Sequence, residues 1–412
     1  MDDQLKAALL AGIDSAATVE TTRGLLRIPS FSGSEGALAA RLAEELEGIG
    51  LDVETPEVEP GRPNVIGRLR GAEPGERFLF NGHMDHNPVA AGWSHDPFGA
   101  DLEDGWIIAL GSVNMKSALG GYLAAARAIR STGRPIRGEL IVEFVVGELQ
   151  GGIGTRHDLE QGLRADMFID GEPTELQVKT RHAGITVLRF TVFGRMRHFH
   201  YRGSDPTQHA IEAAIRFLRT LGPSYTPIDP GGWLRFDPRP GWEGLPQLNV
   251  GSIIGGIGPD YASWRPALCP DRCSFLVDVR TIPGQTPDMV LEDARRVVEA
   301  VTRDDPTFRA EVEPAEGHIP MIPFEVPDDA PLVRQVAAAH LEIRGEPAVV
   351  GDTGPSRFAG ADSGHLLAAG IPGLLYGPGG RYLSMPDERV RAADVVDAAR
   401  VYALAAGSVL LG

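Results

Sequence analysis

Three short polar clusters each follow an apolar run. Phe78-Leu79-Phe80 leads into Asn81-Gly82-His83-Met84-Asp85, and Phe144-Val145-Val146 leads into Gly147-Glu148-Leu149-Gln150-Gly151-Gly152. Phe168-Ile169 leads into Asp170-Gly171-Glu172-Pro173-Thr174. An imidazole and several carboxylates are the groups that hold a divalent metal or move protons near neutral pH. One Gly-rich strand end is an ordinary turn. Three in one stretch of chain point to a shared edge, because ligands of open α/β sheets bind in the crevice beyond the carboxyl ends of the strands. On residue types alone, a metal centre and a metal-free acid–base site both stay open.

The elements that must position these groups are readable from periodicity. Leu38, Leu42, Leu46 and Ile49 recur at helical spacing, and Ala118 to Ile129 reads as another helix. Between such helices, apolar runs at residues 64–66, 78–80, 140–146 and 167–169 read as buried strands of a sheet covered on both faces. A second rhythm begins near residue 185. It consists of an alternating strand at 186–193, a helix with Ile211, Ile215, Leu218 and Leu221 on one face, strands at 249–254 and 274–280, a helix over 287–301, and a strand at 308–312. That order is a compact α+β unit. From about residue 320 helix and buried-strand patterns return, ending in a helix over 393–411. The expected organisation is therefore one α/β domain in two segments, 1–185 and 316–412, interrupted by an α+β domain at 186–315.

At 412 residues, two domains are the natural expectation. A net charge of −17, spread along the chain, argues against nucleic acid or an anionic membrane as partner. No apolar run reaches membrane-spanning length, and the first residues lack the basic and apolar regions of a secretory signal. Cys269 and Cys273, the only cysteines, fit reduced thiols in a cytoplasmic protein.

As a set, the motifs resemble the two-zinc family of aminoacylases, acetylornithine deacetylases, succinyl-diaminopimelate desuccinylases and carboxypeptidase G. His83-Met84-Asp85 is similar to the family's His-x-Asp, Gly111 to Lys116 to its Gly-x-x-Asp-Met-Lys, and Glu148 to Thr155 to its Glu-Glu-x-Gly-Gly-x-Gly. Gly171-Glu172-Pro173-Thr174, Ala361-Asp362-Ser363, Gly370-Ile371-Pro372, Gly377-Pro378-Gly379-Gly380 and Pro386-Asp387-Glu388 also fit. The resemblance covers nearly the whole chain. It implies a zinc-aminopeptidase-like three-layer catalytic domain with an inserted ferredoxin-like lid and dimerisation domain, and at least a homodimer.

It also implies roles for individual residues. His83 and Glu172 match ligands of one metal, with Asn114 offering a neutral amide oxygen where the family has its bridging Asp. Glu148 matches the general base, and Asp85 the carboxylate that orients the histidine ligand. His198, with His200 as its close competitor, matches a histidine that reaches a neighbouring subunit's site. Arg280 matches a residue that grips substrate carboxylate, and Ser384 is a further expected substrate contact. The departures fall on one metal: Asn114 replaces the bridge, Leu149 replaces one private ligand and Ser384 the other. One weakly held divalent transition metal, Mn or Zn, is thus expected rather than two.

The expected activity is hydrolysis of a C–N bond in a small carboxylate-bearing substrate. An activated aromatic amine, as in the nitroanthranilate aminohydrolase branch, is favoured over an N-acyl amino acid, because loss of one metal removes half of the clamp on an amide. A non-catalytic binding protein, or a metal-free enzyme relying on Glu148, are the alternatives.

Overall fold

The structure, a computed structural model, describes residues 1–201, 208–263, 265–351 and 357–412. The chain forms two compact units, residues 1–182 with 324–412, and residues 183–323. The first is built on an eight-stranded mixed sheet. Its spatial order is Asp52–Glu54, Val65–Arg70, Arg137–Val145, Glu73–His83, Met167–Asp170, Gly373–Leu375, Val178–Lys179 and Val350–Gly351. The four strands from Arg137–Val145 to Gly373–Leu375 run parallel, and antiparallel pairings flank them. Continuous apolar runs suit these central strands because both faces are covered. Phe78, Phe80, Leu140, Val142 and Ile169 pack against helices that include Lys116–Ser131 and Ala392–Leu410. On the opposite face Leu79, Ile141 and Phe168 pack with Phe324, Leu366 and Ile371.

The helix Lys116–Ser131 is buried on nearly every side. Tyr122, at its middle, stacks on Phe80 with centroids 4.6 Å apart and donates its hydroxyl to the carbonyls of Asn81 and Ile169. It therefore fastens the two strands that end in the first and third polar clusters. Among the described residues no helix is long and apolar enough to cross a membrane.

The inserted unit is a four-stranded antiparallel sheet in the order Gln247–Gly256, Arg272–Thr281, Gly184–Phe193, Arg309–Pro314. With helices Ala210–Leu221 and Pro287–Asp304 sharing its core, this is the ferredoxin-like order. Strict alternation along Gly184–Phe193 buries Leu188, Phe190 and Val192 against those helices. The expected face of the first helix needs correction. Ala210, Ala213, Ala214, Phe217 and Leu221 face the sheet, while Ile215 is 47% exposed. The helix carries two apolar stripes. The alanines allow close approach, and Phe217 stacks on Phe308 at 5.3 Å, so the Ala/Phe stripe wins the core. The unit also runs past residue 315 to Pro323, because Met321 and Ile185 exchange both backbone hydrogen bonds at 2.9 Å.

Candidate active site

Strand register explains why distant residues meet. His83 stands opposite Val145, and Asn81 opposite Asp170, so three parallel strands end at one edge. Gly147, in the left-handed region at φ +66°, turns the chain into the short helical turn Glu148–Gln150. Gly171 lets the third strand end close against the helix. A Cβ there would lie 2.6 Å from both the Ala118 Cβ and the Tyr122 hydroxyl. Glu172 follows at once. Asn114 arrives from the segment just before the helix Lys116–Ser131.

The result is a tight donor set. His83 Nε2 lies 3.2 Å from Asn114 Oδ1, 3.5 Å from Glu172 Oε1 and 3.9 Å from Glu148 Oε2. Among the described residues, His83, Glu148 and Glu172 form a group whose candidate ligand atoms all lie within 4.8 Å of one another. His83 Nδ1 is 2.9 Å from the Asp85 carbonyl, which can only accept, so Nδ1 carries the proton. In the neutral ring Nε2 is then a bare lone pair, facing three more oxygen acceptors. Only a proton or a cation resolves that confrontation, and the donor types suit a divalent metal. Burial works to discharge the His83 imidazole, but Asp85, Glu172 and Glu148 outweigh it and push its pKa well above the ordinary value. Burial pushes Glu148 well up as well, with His83 opposing and Glu172 and Asp362 adding to the rise.

Asp85 is fully buried and meets His83 Nδ1 through its backbone carbonyl and its carboxylate. Its carboxylate stands 3.4 Å from Nδ1 and accepts hydrogen bonds from the amides of Glu148 (3.1 Å) and Leu149 (3.2 Å) and from the Ser32 hydroxyl (2.7 Å). The Asp85 carboxylate thus reaches the Glu148 turn as well as the imidazole. It positions the Glu148 turn directly, and the carbonyl fixes the imidazole.

The other expected residues make contacts of their own. Ser384 accepts a hydrogen bond from the Asn87 amide at 2.8 Å, and its own amide donates to Glu388. The same Glu388 carboxylate accepts from Val113 and Asn114, so one buried acid ties the Ser384 turn to the Asn114 segment. His198, His200 and Arg280 belong to the inserted unit. His198 and His200 are exposed, and the His200 amide donates to His198 Nδ1. Arg280 pairs with Asp278 through two hydrogen bonds of 2.8 and 2.7 Å.

Several residues that carried no expected role, some of them inside the quoted motifs, also surround the site. Asn87 and Glu388 bracket the Ser384 turn, and the buried pair Glu35 and Arg62 reaches the half-buried Gln150, two residues from Glu148. Beneath the site Glu143, Asn81 and Asp170 form one polar row across three strands, with Asp362 nearby through Thr155. Burial raises Asp362 to about 7, against the Thr155 hydrogen bond. Glu143 had a visible signal, a charge interrupting the run Leu140 to Val146. Arg62 had none.

The sequence profile of peptidase family M20/M25/M40 matches residues 79–408. A succinyl-diaminopimelate desuccinylase of Methylorubrum extorquens is 28% identical over 399 residues, covering 92% of this chain and 95% of its own. The N-formyl-4-amino-5-aminomethyl-2-methylpyrimidine deformylase of Bacillus subtilis is 27% identical over 380 residues, covering 85% and 83%. Among solved structures, an M20 family metallo-carboxypeptidase from Sulfolobus solfataricus superposes with a TM-score of 0.78 at 17% identity, covering 94% of this chain and 98% of its own. A donor set that suits a metal, a profile match along most of the chain and whole-length kinship to amide-cleaving enzymes agree: the chain belongs to peptidase family M20/M25/M40 and is a metal-dependent hydrolase of carbon–nitrogen bonds.

Proposed function

We propose that this hydrolase works with one divalent metal, Mn or Zn, held by His83, Asn114 and Glu172. Its substrate is a small carboxylate-bearing aromatic amine of the 5-nitroanthranilate type, and it replaces the amino group by hydroxyl. The observation that carries this is the chemistry at three positions. Asn114 presents a neutral amide to His83, Leu149 is apolar, and the Ser384 hydroxyl is engaged by Asn87. Such a set suits one cation and offers little to a second.

When bound, the cation supplies Lewis-acid polarisation and lowers the pKa of water at the site. Glu148, beside His83 Nε2, takes a proton from the attacking water and delivers it to the departing nitrogen. Asp85 holds the Glu148 turn and the imidazole in place through the hydrogen bonds described above. Water adds to the ring carbon, the C–N bond breaks, and ammonia leaves with the proton from Glu148. An electron-poor ring stores the negative charge of addition in itself, so this reaction needs less from the protein than amide cleavage. Phe31, His86 and Phe98 form an aromatic cluster near the site. Their rings pack mutually at 4.7 to 6.0 Å beside the Gly111–Asn114 segment.

A second reading, an N-acyl deacylase, is favoured by the deformylase and desuccinylase names of the whole-length relatives. Metal-loaded protein is to be assayed for ammonia from 5-nitroanthranilate and for formate or succinate from N-formyl and N-succinyl amines. Ammonia release supports the first reading, and acid release alone replaces it with the second. Glu148→Gln is expected to lower turnover by roughly 10²- to 10⁴-fold while retaining substrate affinity. An active Glu148→Gln enzyme would remove Glu148 from the mechanism.

A further inference from the structure

The turn that carries Glu148 is poorly held by packing. Gly147, Gly151 and Gly152 all stand in the left-handed region, at φ +66°, +96° and +76°, and none offers a side chain to the core. Leu149 and Gln150 are only half-buried. A carboxylate on such a turn is located by its hydrogen bonds, and these form a closed ring.

On one side Asp85 accepts from the amides of Glu148 and Leu149 and from the Ser32 hydroxyl. The Ser32 segment is itself anchored. The Ser30 hydroxyl donates to the Met84 carbonyl at 2.7 Å, and the Ser30 amide donates to His86 Nε2 at 3.0 Å. Glu35, fully buried, accepts from the Gly33 amide at 3.1 Å and from Arg62 through Nε (2.8 Å) and Nη2 (2.6 Å). Arg62 Nη1 reaches Glu59, and Nη2 donates to Gln150 Oε1 at 2.7 Å. From Gln150 the backbone returns through Leu149 to Asp85. The ring therefore runs Asp85, Ser32, Glu35, Arg62, Gln150, Leu149 and back.

We infer that Arg62 and Gln150 are positioning residues for Glu148. The guanidinium, pinned by the buried Glu35 carboxylate, holds the far end of the turn through the Gln150 side chain, while Asp85 holds the near end. Neither residue touches the His83–Glu172 cluster, so the tether acts on where the base stands and not on what holds the metal. A planar guanidinium with five fixed donors can engage Glu35 by two nitrogens and still hold Gln150, a geometry an ammonium cannot reproduce.

The inference rests on Glu148 being the base, and the test separates the two. Arg62→Leu is a poor probe because it leaves the Glu35 carboxylate buried without its partner and threatens the fold. Gln150→Leu removes only the acceptor, and Gln150→Glu keeps an acceptor that the guanidinium engages as well. Hydrogen exchange at the Glu148 and Leu149 amides is measured in all three proteins together with the global unfolding midpoint. In Gln150→Leu these amides are expected to exchange about tenfold faster, an opening of the turn that fraying segments show, with the midpoint held. Gln150→Glu is expected to keep wild-type protection. On the active substrate, kcat of Gln150→Leu is expected to fall roughly 10- to 100-fold at little-changed KM, the scale of a misplaced catalytic group, and Gln150→Glu is expected to restore it. Unchanged amide protection in Gln150→Leu overturns the tether. Faster exchange with full kcat keeps the tether and overturns its positioning role, while the base assignment itself stands or falls with Glu148→Gln.

Discussion

At the scale of single residues, the site is defined by what its oxygens lack. Asn114 Oδ1 faces His83 Nε2 at 3.2 Å, two acceptors across a gap that a cation would bridge. An amide contributes a dipole there, and a carboxylate would contribute a full charge. Two unit charges about 4 Å apart attract by about 4 kcal/mol at an effective dielectric near 20. Asn114→Asp is therefore expected to tighten Mn(II) binding by tenfold or more in calorimetric titration. The metal-free variant is expected to melt at lower temperature, because the added charge joins Asp85, Glu148 and Glu172 with no cation to answer it. Equal or weaker Mn(II) affinity in Asn114→Asp would show that Asn114 does not reach the metal.

At the scale of elements, the helix Ser363–Ala368 braces the Glu148 turn from a third direction. His365 donates from Nε2 to the Gly151 carbonyl at 3.0 Å, and burial lowers its pKa from 6.5 to about 4. The folded chain thus keeps this ring neutral where the unfolded chain would protonate it. Stability is present in full above pH 6.5 and is lost as pH falls toward 4. The single group removes about 2 kcal/mol by pH 5. His365→Gln keeps an N–H donor and cannot titrate, so its urea midpoint is expected to fall less between pH 7.5 and 5 than that of the wild type. Parallel loss in the two proteins would rule His365 out as the acid-sensitive group. This brace was not legible beforehand, because His365 sits in a short helix whose pattern says nothing of its partner. The strand ends were legible. Parallel strands in register must deliver the residues after their apolar runs to one edge, and the polar clusters after Phe80, Val146 and Ile169 announced where. What periodicity could not decide was which of two apolar stripes a helix buries. Ile215 has the larger side chain, but Ala213, Ala214 and Phe217 fit the sheet. Long-range pairs such as Glu35 with Arg62 leave no local trace at all, since neither residue's neighbours encode the other's position.

At the scale of the whole molecule, the inserted sheet has two edges of opposite character. The strand Arg309–Pro314 is guarded by Arg309, Glu311 and Glu313 and closed by a proline. These are the devices by which proteins keep sheet edges from pairing with other chains. The strand Gln247–Gly256 carries no charge and no proline, and Ile253 and Ile254 are 51% and 52% exposed. Its first half is covered, with the Val250 amide donating to Ser224 and the Leu248 carbonyl accepting from Tyr225. From Gly251 to Gly255 it lies open. On an otherwise acidic molecule, an unguarded, apolar strand end is where a second copy would pair across a two-fold axis. We accordingly propose a homodimer through this edge, and sedimentation is expected to give twice the 44.1 kDa chain mass. Placing lysines at both positions, Ile253→Lys with Ile254→Lys, sets like charges against each other across that axis. The variant is expected to sediment as the single chain with an unchanged circular dichroism spectrum. Wild-type protein that sediments as a single chain at micromolar concentration, or a double variant that stays paired, would show that this edge does not carry the association.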